Sequence, residues 1–156
     1  MISPFMVWLI FVTLVLILCL AKPNAGRIFL GFFFLAMAIG VNIITVLVAP
    51  QSYVEMGKNA LIPFYRWVFL NIIALNPPLF VLPIAVFQIA VALMILSKKI
   101  YVKIGLVGGI IFLLGITPLG IESLPNPVLA LALALLLRKE FDMTFLEILR
   151  SKLRRQ

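Results

Sequence analysis

The stretch Pro127-Val128-Leu129-Ala130-Leu131-Ala132-Leu133-Ala134-Leu135-Leu136-Leu137 decides how this chain is organised. It is apolar throughout and stops at Arg138-Lys139. It covers about half of the roughly 20 residues that a helix needs to cross a hydrocarbon core about 30 Å thick. Four longer apolar segments precede it, at about 2–21, 28–49, 79–97 and 104–121. The basic residues decide whether the last segment, about 126–138, crosses as well. If it does, and the N-terminus lies outside, then Lys22, Arg27, Lys98, Lys99, Lys103, Arg138, Lys139, Arg150, Lys152, Arg154 and Arg155 share the cytoplasmic side. Lys58 and Arg66 alone lie outside, as the positive-inside rule requires. With four spans the basic residues divide nearly evenly. The expectation is an all-α integral membrane protein with five transmembrane segments, the last one short. It places the chain in the cell membrane as a multi-pass protein, N-terminus outside and C-terminus cytoplasmic.

Composition supports a bilayer. Of 156 residues, 65% are hydrophobic and 12% charged, against about 25% charged in a soluble domain. The mean hydropathy is +1.26. A soluble fold of this length would expose apolar patches that aggregate. The chain has no histidine, which removes imidazole metal sites and His-based nucleophile pairs. Its one cysteine, Cys19, allows no intrachain disulfide and no thiolate cluster, and reads as a small apolar residue. No catalytic residue, metal site or intrinsic cofactor is expected. The net charge of +8 comes from turns and tail that set topology, so nucleic acid is not an expected partner. The first segment lacks a preceding basic residue and exceeds the length of a signal peptide's apolar region, so it reads as a retained span.

The connections are short except one. Lys22 to Arg27 and Lys98 to Lys103 read as basic turns, and Glu122 to Pro127 as a turn in which Asn126 caps the next helix. Pro50 to Pro78 is the long connection. It contains an apolar run expected as an interfacial helix at about 64–75, with Tyr65, Arg66 and Trp67 at headgroup level. The tail, 139–156, reads as an amphipathic helix begun by the capping box Thr144 to Glu147, with Arg150, Lys152, Arg154 and Arg155 contacting anionic lipid.

Polar residues inside spans are the candidates for function. No ionisable residue lies at central depth, which argues against a proton pump or ion pathway. Asn42 and Thr45 share a helical face with Gly31 and Ala38, and Gln88 shares one with Ala85 and Ala92. These faces are expected to meet, with Asn42 and Gln88 bonded across helices. The two readings of Asn42, Thr45 and Gln88 are helix glue and a polar spot for a lipid headgroup or quinone carbonyl. Gly105 and Gly109 form a GxxxG pair that serves close packing or a homodimer, and Pro118 is expected to kink its helix. An outer polar cluster of Glu55, Lys58, Arg66 and Glu122, in which Glu122 could pair with Arg66, is either solvated loop or a site facing outward.

From Ile28 onward, the stretch Ile84 to Leu93, the Lys98-Lys99 turn, the helix Gly105 to Gly120 and the short closing helix Pro127 to Leu137 resemble the DoxX-like family of small membrane proteins. The resemblance implies a four-helix core, to which Ile2–Ala21 adds an N-terminal span, and a link to membrane redox systems. Gln88 stands where that family often carries Glu. The function expected is a small accessory protein binding lipid, quinone or a partner subunit, membrane-bound or soluble, without catalysis of its own. The alternatives are a membrane subunit of a quinone-linked oxidoreductase and a small oligomeric transporter or lipid-handling protein.

Overall fold

The computed structural model describes residues 3–154, so Arg155 and the first two residues lie outside the description. Among the described residues all regular structure is helical. Helix α1 (Pro4–Ala21) starts at Ser3, whose side chain accepts from the Met6 amide. It hands over to α2 (Pro23–Ala36) through Lys22 alone. Lys22–Arg27 is therefore not a turn. Pro23 occupies the first helical position, where its fixed φ and missing N–H cost nothing. α2 runs without interruption through a π-helical segment, Met37–Ile43, into α3 (Ile44–Val48). Two short helices follow, α4 (Gln51–Lys58) and α5 (Pro63–Asn71), with a 3-10 turn at Ile73–Leu75. α6 (Pro77–Ile95) and α7 (Ile100–Ile116) form the next long pair. α8 (Asn126–Leu136) and α9 (Phe145–Leu153) complete the chain. Sequence reading missed α4, because polar Gln51, Ser52, Glu55 and Lys58 mask its single inward face of Tyr53 and Gly57.

Four helices are long and apolar enough to cross a membrane: Pro4–Ala21, Pro23–Val48, Pro77–Ile95 and Ile100–Leu119. Their outward faces are apolar, as with Val7, Ile10, Leu14 and Ile17 along α1. α8 is shorter, about 17 Å at 1.5 Å per residue. It packs between α1 and α7, so the elements close into a ring in the order α1, α2, α6, α7, α8 and back to α1. Leu30, Phe34, Leu106, Leu129 and Leu133 fill its interior. Gly105 and Gly109 belong to this interior. A Cβ on Gly105 would lie 2.8 Å from the Ile95 backbone nitrogen, and one on Gly109 would lie 2.5 Å from Leu133. The GxxxG stripe thus seats α6 and α8 within one chain and is not a free face for a second copy. Pro118 ends α7 rather than kinking it: Thr117–Leu119 tightens to a 3-10 turn, and Thr117 Oγ1 donates to the Leu113 carbonyl at 2.8 Å.

The end of the bundle that carries most basic residues is fastened by Arg27, a fully buried cation that pairs with no carboxylate among the described residues. Its Nη1 donates to the Ser97 carbonyl at 2.6 Å and its Nη2 to the Met143 carbonyl at 2.9 Å. The guanidinium lies over the Phe141 ring, 4.7 Å from the centroid. The segment after α8 is therefore a strap bound across the α6–α7 turn, and the tail is helical only from Phe145. The Lys99 amide donates to the Phe141 carbonyl at 2.7 Å, and the Phe145 amide to the Leu96 carbonyl at 3.0 Å. Lys103 pairs with Glu140 at 2.6 Å and Lys98 with Glu147 at 2.7 Å. Glu147 closes the expected capping box with Thr144. Lys98 and the Thr144 amide hold the Glu147 carboxyl down at about 2. A depressed carboxyl contributes its stabilisation above its ordinary pKa and loses it as pH falls through the depressed value. The protection factors of the amides at residues 144–147, each taken against intrinsic exchange at the same pH, are therefore expected to stay high from neutral pH to about 4 and to fall towards pH 2. Glu147→Ala should give the low protection at every pH.

Packing sets a second expectation. Gly105→Ala forces backbone apart and should lower stability by about 1–3 kcal/mol. Gly40→Ala, whose Cβ meets nothing within 4 Å, should leave the melting temperature in detergent within a degree or two. Arg27→Ala leaves the Ser97 and Met143 carbonyls without these donors. At about 1.5–3 kcal/mol per charge-assisted bond, it should be the most damaging of the three.

Candidate functional site

Asn42 lies in the π-helical segment of the α2–α3 helix. There the Ile44 amide reaches back to the Ile39 carbonyl, five residues earlier, and the extra residue in the turn shifts the helical phase. π segments of this kind concentrate at functional sites. Asn42 Nδ2 donates to Gln88 Oε1 on α6, the contact expected from the sequence. Tyr53, on α4, donates to Asn42 Oδ1 at 3.0 Å and approaches the Asn42 carbonyl at 3.3 Å. Burial pushes the Tyr53 phenol up to about 12, so it stays a donor. Thr45 is half-buried one turn beyond Asn42 and does not line the cavity described next.

A cavity of about 190 Å³ opens beside this chain of amides. Its walls come from α1, α2 and the π segment, α4, α5, α6, α7 and the first residue of α8. Most of the lining is aromatic or aliphatic, including Phe33, Phe34, Met37, Val81 and Phe112, and it carries no charged side chain. Asn126 faces it from the start of α8. The sequence reading of Asn126 as a helix cap fails: Pro125 holds the cap position and the Asn126 side chain makes no cap bond. Asn126 Oδ1 instead accepts from Trp8 Nε1 at 2.9 Å, which ties the beginnings of α1 and α8 together.

Hydrogen-bond accounting gives the cavity its character. The amide oxygens of Asn42, Gln88 and Asn126 each accept from a protein donor. Gln88 Nε2 and Asn126 Nδ2 donate to no protein group among the described residues. Both side chains are nearly sealed from the exterior, at 2% and 3% exposure. Yet neither nitrogen is enclosed: among the described residues the one fully enclosed side-chain polar atom without a partner is Arg27 Nε. The two amide nitrogens therefore open onto the cavity they line. They are donors without acceptors in an apolar wall, an arrangement that costs about 1–3 kcal/mol per group unless an acceptor meets it.

The outer polar cluster does not assemble as expected. Lys58 pairs with Glu55 at 2.6 Å within α4. Arg66 Nη2 donates to the Ala60 carbonyl at 3.3 Å and makes no bond with Glu122. Glu55 and Glu122 share an open groove with Asn59, while Lys58 and Arg66 stand outside it. In the tail, Arg150 and Lys152 lie exposed on α9 and Arg154 just after it, while Leu146, Leu149 and Leu153 supply its apolar stripe. Tyr53, Trp8 and the place of Asn126 in the cavity wall escaped sequence reading. A signal was present for one of them: a Trp near the start of a span can be buried only if a partner accepts from its N–H.

No family model matches this chain, and no curated protein or solved structure matches it.

The Asn42–Gln88 contact can be tested apart from any ligand. Gln88→Leu keeps the volume but leaves Asn42 Nδ2 unpaired, and should lower detergent stability by about 1–3 kcal/mol. Tyr53→Phe should cost about 1 kcal/mol, and the two losses should be non-additive in the double variant, because both act through Asn42.

Proposed function

We propose that this chain is a small multi-pass protein of the cell membrane. It binds a neutral, lipid-soluble molecule through carbonyl oxygens, as an accessory protein without catalysis of its own. The observation that carries the reading is the pair of unpartnered amide donors, Gln88 Nε2 and Asn126 Nδ2, in one uncharged cavity. An acceptor-rich head matches two free donors. An alcohol fits less well: its oxygen can accept, but its O–H must then find the second lone pair of an amide oxygen that already accepts one bond. A charged head would face desolvation with no counter-charge in the lining. Quinone rings and acyl esters both satisfy these demands.

Membrane placement follows from charge. Among the described residues, Lys58 and Arg66 are the basic residues at the end of the bundle where α1 begins, and the other described basic residues gather at the opposite end. That distribution favours five crossings with the basic end cytoplasmic. α8 is sheltered between α1 and α7, so its shortness is offset by local thinning of the bilayer or by neighbouring helices. The DoxX-like resemblance agrees with a quinone as ligand. As a subunit of a quinone-linked oxidoreductase the chain would use the same cavity, with redox groups supplied by a partner.

Purification in mild detergent, followed by native mass spectrometry with lipid and quinone analysis, tests this reading. The expected result is a stoichiometric neutral molecule bearing carbonyl groups, reduced at least tenfold in Gln88→Leu/Asn126→Leu. Recovery of bulk phospholipid alone, equal in both proteins, would contradict it.

A further inference from the structure

The cavity is small for a whole ligand. Pockets that enclose drug-sized molecules run to roughly 300–1,000 Å³, and a cavity of about 150 Å³ takes a single benzene-sized ring. At about 190 Å³, this one holds a head and little more. Next to it, on the outer side of the bundle, an apolar groove of about 440 Å³ runs between α5, α6 and α7. Phe69, Ile73, Ile84, Phe112, Ile116 and Leu119 line both spaces, so side chains alone separate them. The groove is floored by Gly115, where an added Cβ would meet nothing within 4 Å. Pro83 and Phe87 face it from α6.

The groove also has a fastening. Tyr65 Oη, on α5, donates to the Gly115 carbonyl at 2.7 Å. The Leu61 amide donates to the Pro118 carbonyl at 2.8 Å. Pro118 stands three residues after Gly115 and has no N–H, so a 3-10 bond to the Gly115 carbonyl is lacking. Both bonds tie the α4–α5 cap to the end of α7. They leave the apolar floor of the groove uncovered.

We infer that the groove between α5, α6 and α7 is the path of the ligand's apolar tail, so that the molecule is a tailed, neutral carbonyl lipid taken sideways from the bilayer. This inference rests on the reading of the cavity as a carbonyl site and adds to it the class of molecule. A ring or ester head meets Gln88 and Asn126. The tail passes Phe69, Ile84 and Phe112 and lies over Gly115. Lipid and groove are equally apolar, so the tail gains little affinity from the groove. What the groove confers is room, and filling it should exclude the tail.

Trp8 borders the cavity and serves as a reporter once the chain's other tryptophan is removed by Trp67→Phe. Quenching of Trp8 is followed in lipid nanodiscs with tetramethyl-benzoquinone, which has no tail, and with decyl-benzoquinone. Both probes are expected to quench and saturate. Gly115→Phe is expected to weaken the decyl probe at least tenfold and leave the tail-less probe within twofold. Gly115→Leu should fall between, and each variant should keep the parental melting temperature. Equal effects of Gly115→Phe on both probes, or no effect on either, would overturn the tail path while leaving the carbonyl site in place. Absence of saturable quenching by both probes in the parent would overturn the cavity reading and the tail path with it. Competition by methyl dodecanoate, an acyl ester without a hydroxyl, against the decyl probe then separates the sources. Displacement assigns an acyl ester as head, and resistance assigns a ring dione, each compatible with the shared tail path.

Discussion

An amide set among apolar side chains has to find its partner inside the protein, because lipid offers none. Asn42 and Gln88 find each other, and much of the half of the molecule that holds α4 and α5 is arranged around that bond. The helix carrying Asn42 widens to a π segment at this point. α4 folds back so that Tyr53 can reach the remaining Asn42 oxygen. Gly57 on α4 then lets Phe69 of α5 approach to a distance that any side chain would forbid, with a Cβ at 2.2 Å from the Phe69 Cβ. The cap of two short helices, the cavity under it and the groove beside it all follow from one pair of side chains meeting across two helices. The bond also leaves Gln88 Nε2 over, and that remainder gives the cavity its chemistry.

The opposite end obeys the same constraint with a cation. Arg27 is buried where carbonyls at the end of α6 and in the strap after α8 lack helical partners. A lysine could not replace it, since one ammonium cannot span Ser97 and Met143 while stacking on Phe141. The strap in turn holds α9 against α2, with Phe145 edge-on to Phe32 at 5.0 Å. The two ends therefore differ in kind. One is stitched by charge-assisted bonds, ion pairs and backbone ladders, and the other is an apolar cap around a neutral cavity.

Much of this was legible in the sequence, and what was not has a physical explanation. Long apolar runs, with proline, asparagine or lysine at their borders, defined the four long helices to within a few residues. Asn42 and Gln88 were legible as partners because each is the lone amide on a face of small residues. Arg27 looked like a turn residue because its three partners lie 70 and more positions away in sequence, and topology rules count charges without locating them. Asn126 looked like a cap because Asn-Pro commonly begins helices; its actual partner, Trp8, stands 118 residues away. Tyr53 sat in a stretch too polar to announce a packed helix. The π segment has no sequence mark, since Met37–Ile43 would serve equally well in a regular helix. Gly105 and Gly109 signalled close packing correctly but could not say whether the neighbour belongs to the same chain.

The central claim is that Gln88 Nε2 and Asn126 Nδ2 donate to a carbonyl head. Infrared difference spectroscopy of decyl-benzoquinone labelled with carbon-13 at its carbonyls, bound in lipid nanodiscs, tests this most directly. A donated hydrogen bond weakens the C=O bond. The bound probe should therefore show a carbonyl band below that of the probe in bilayer alone, and Gln88→Leu/Asn126→Leu should return it to the bilayer position. A band at the bilayer position in the unaltered protein, with the probe bound, would contradict the account.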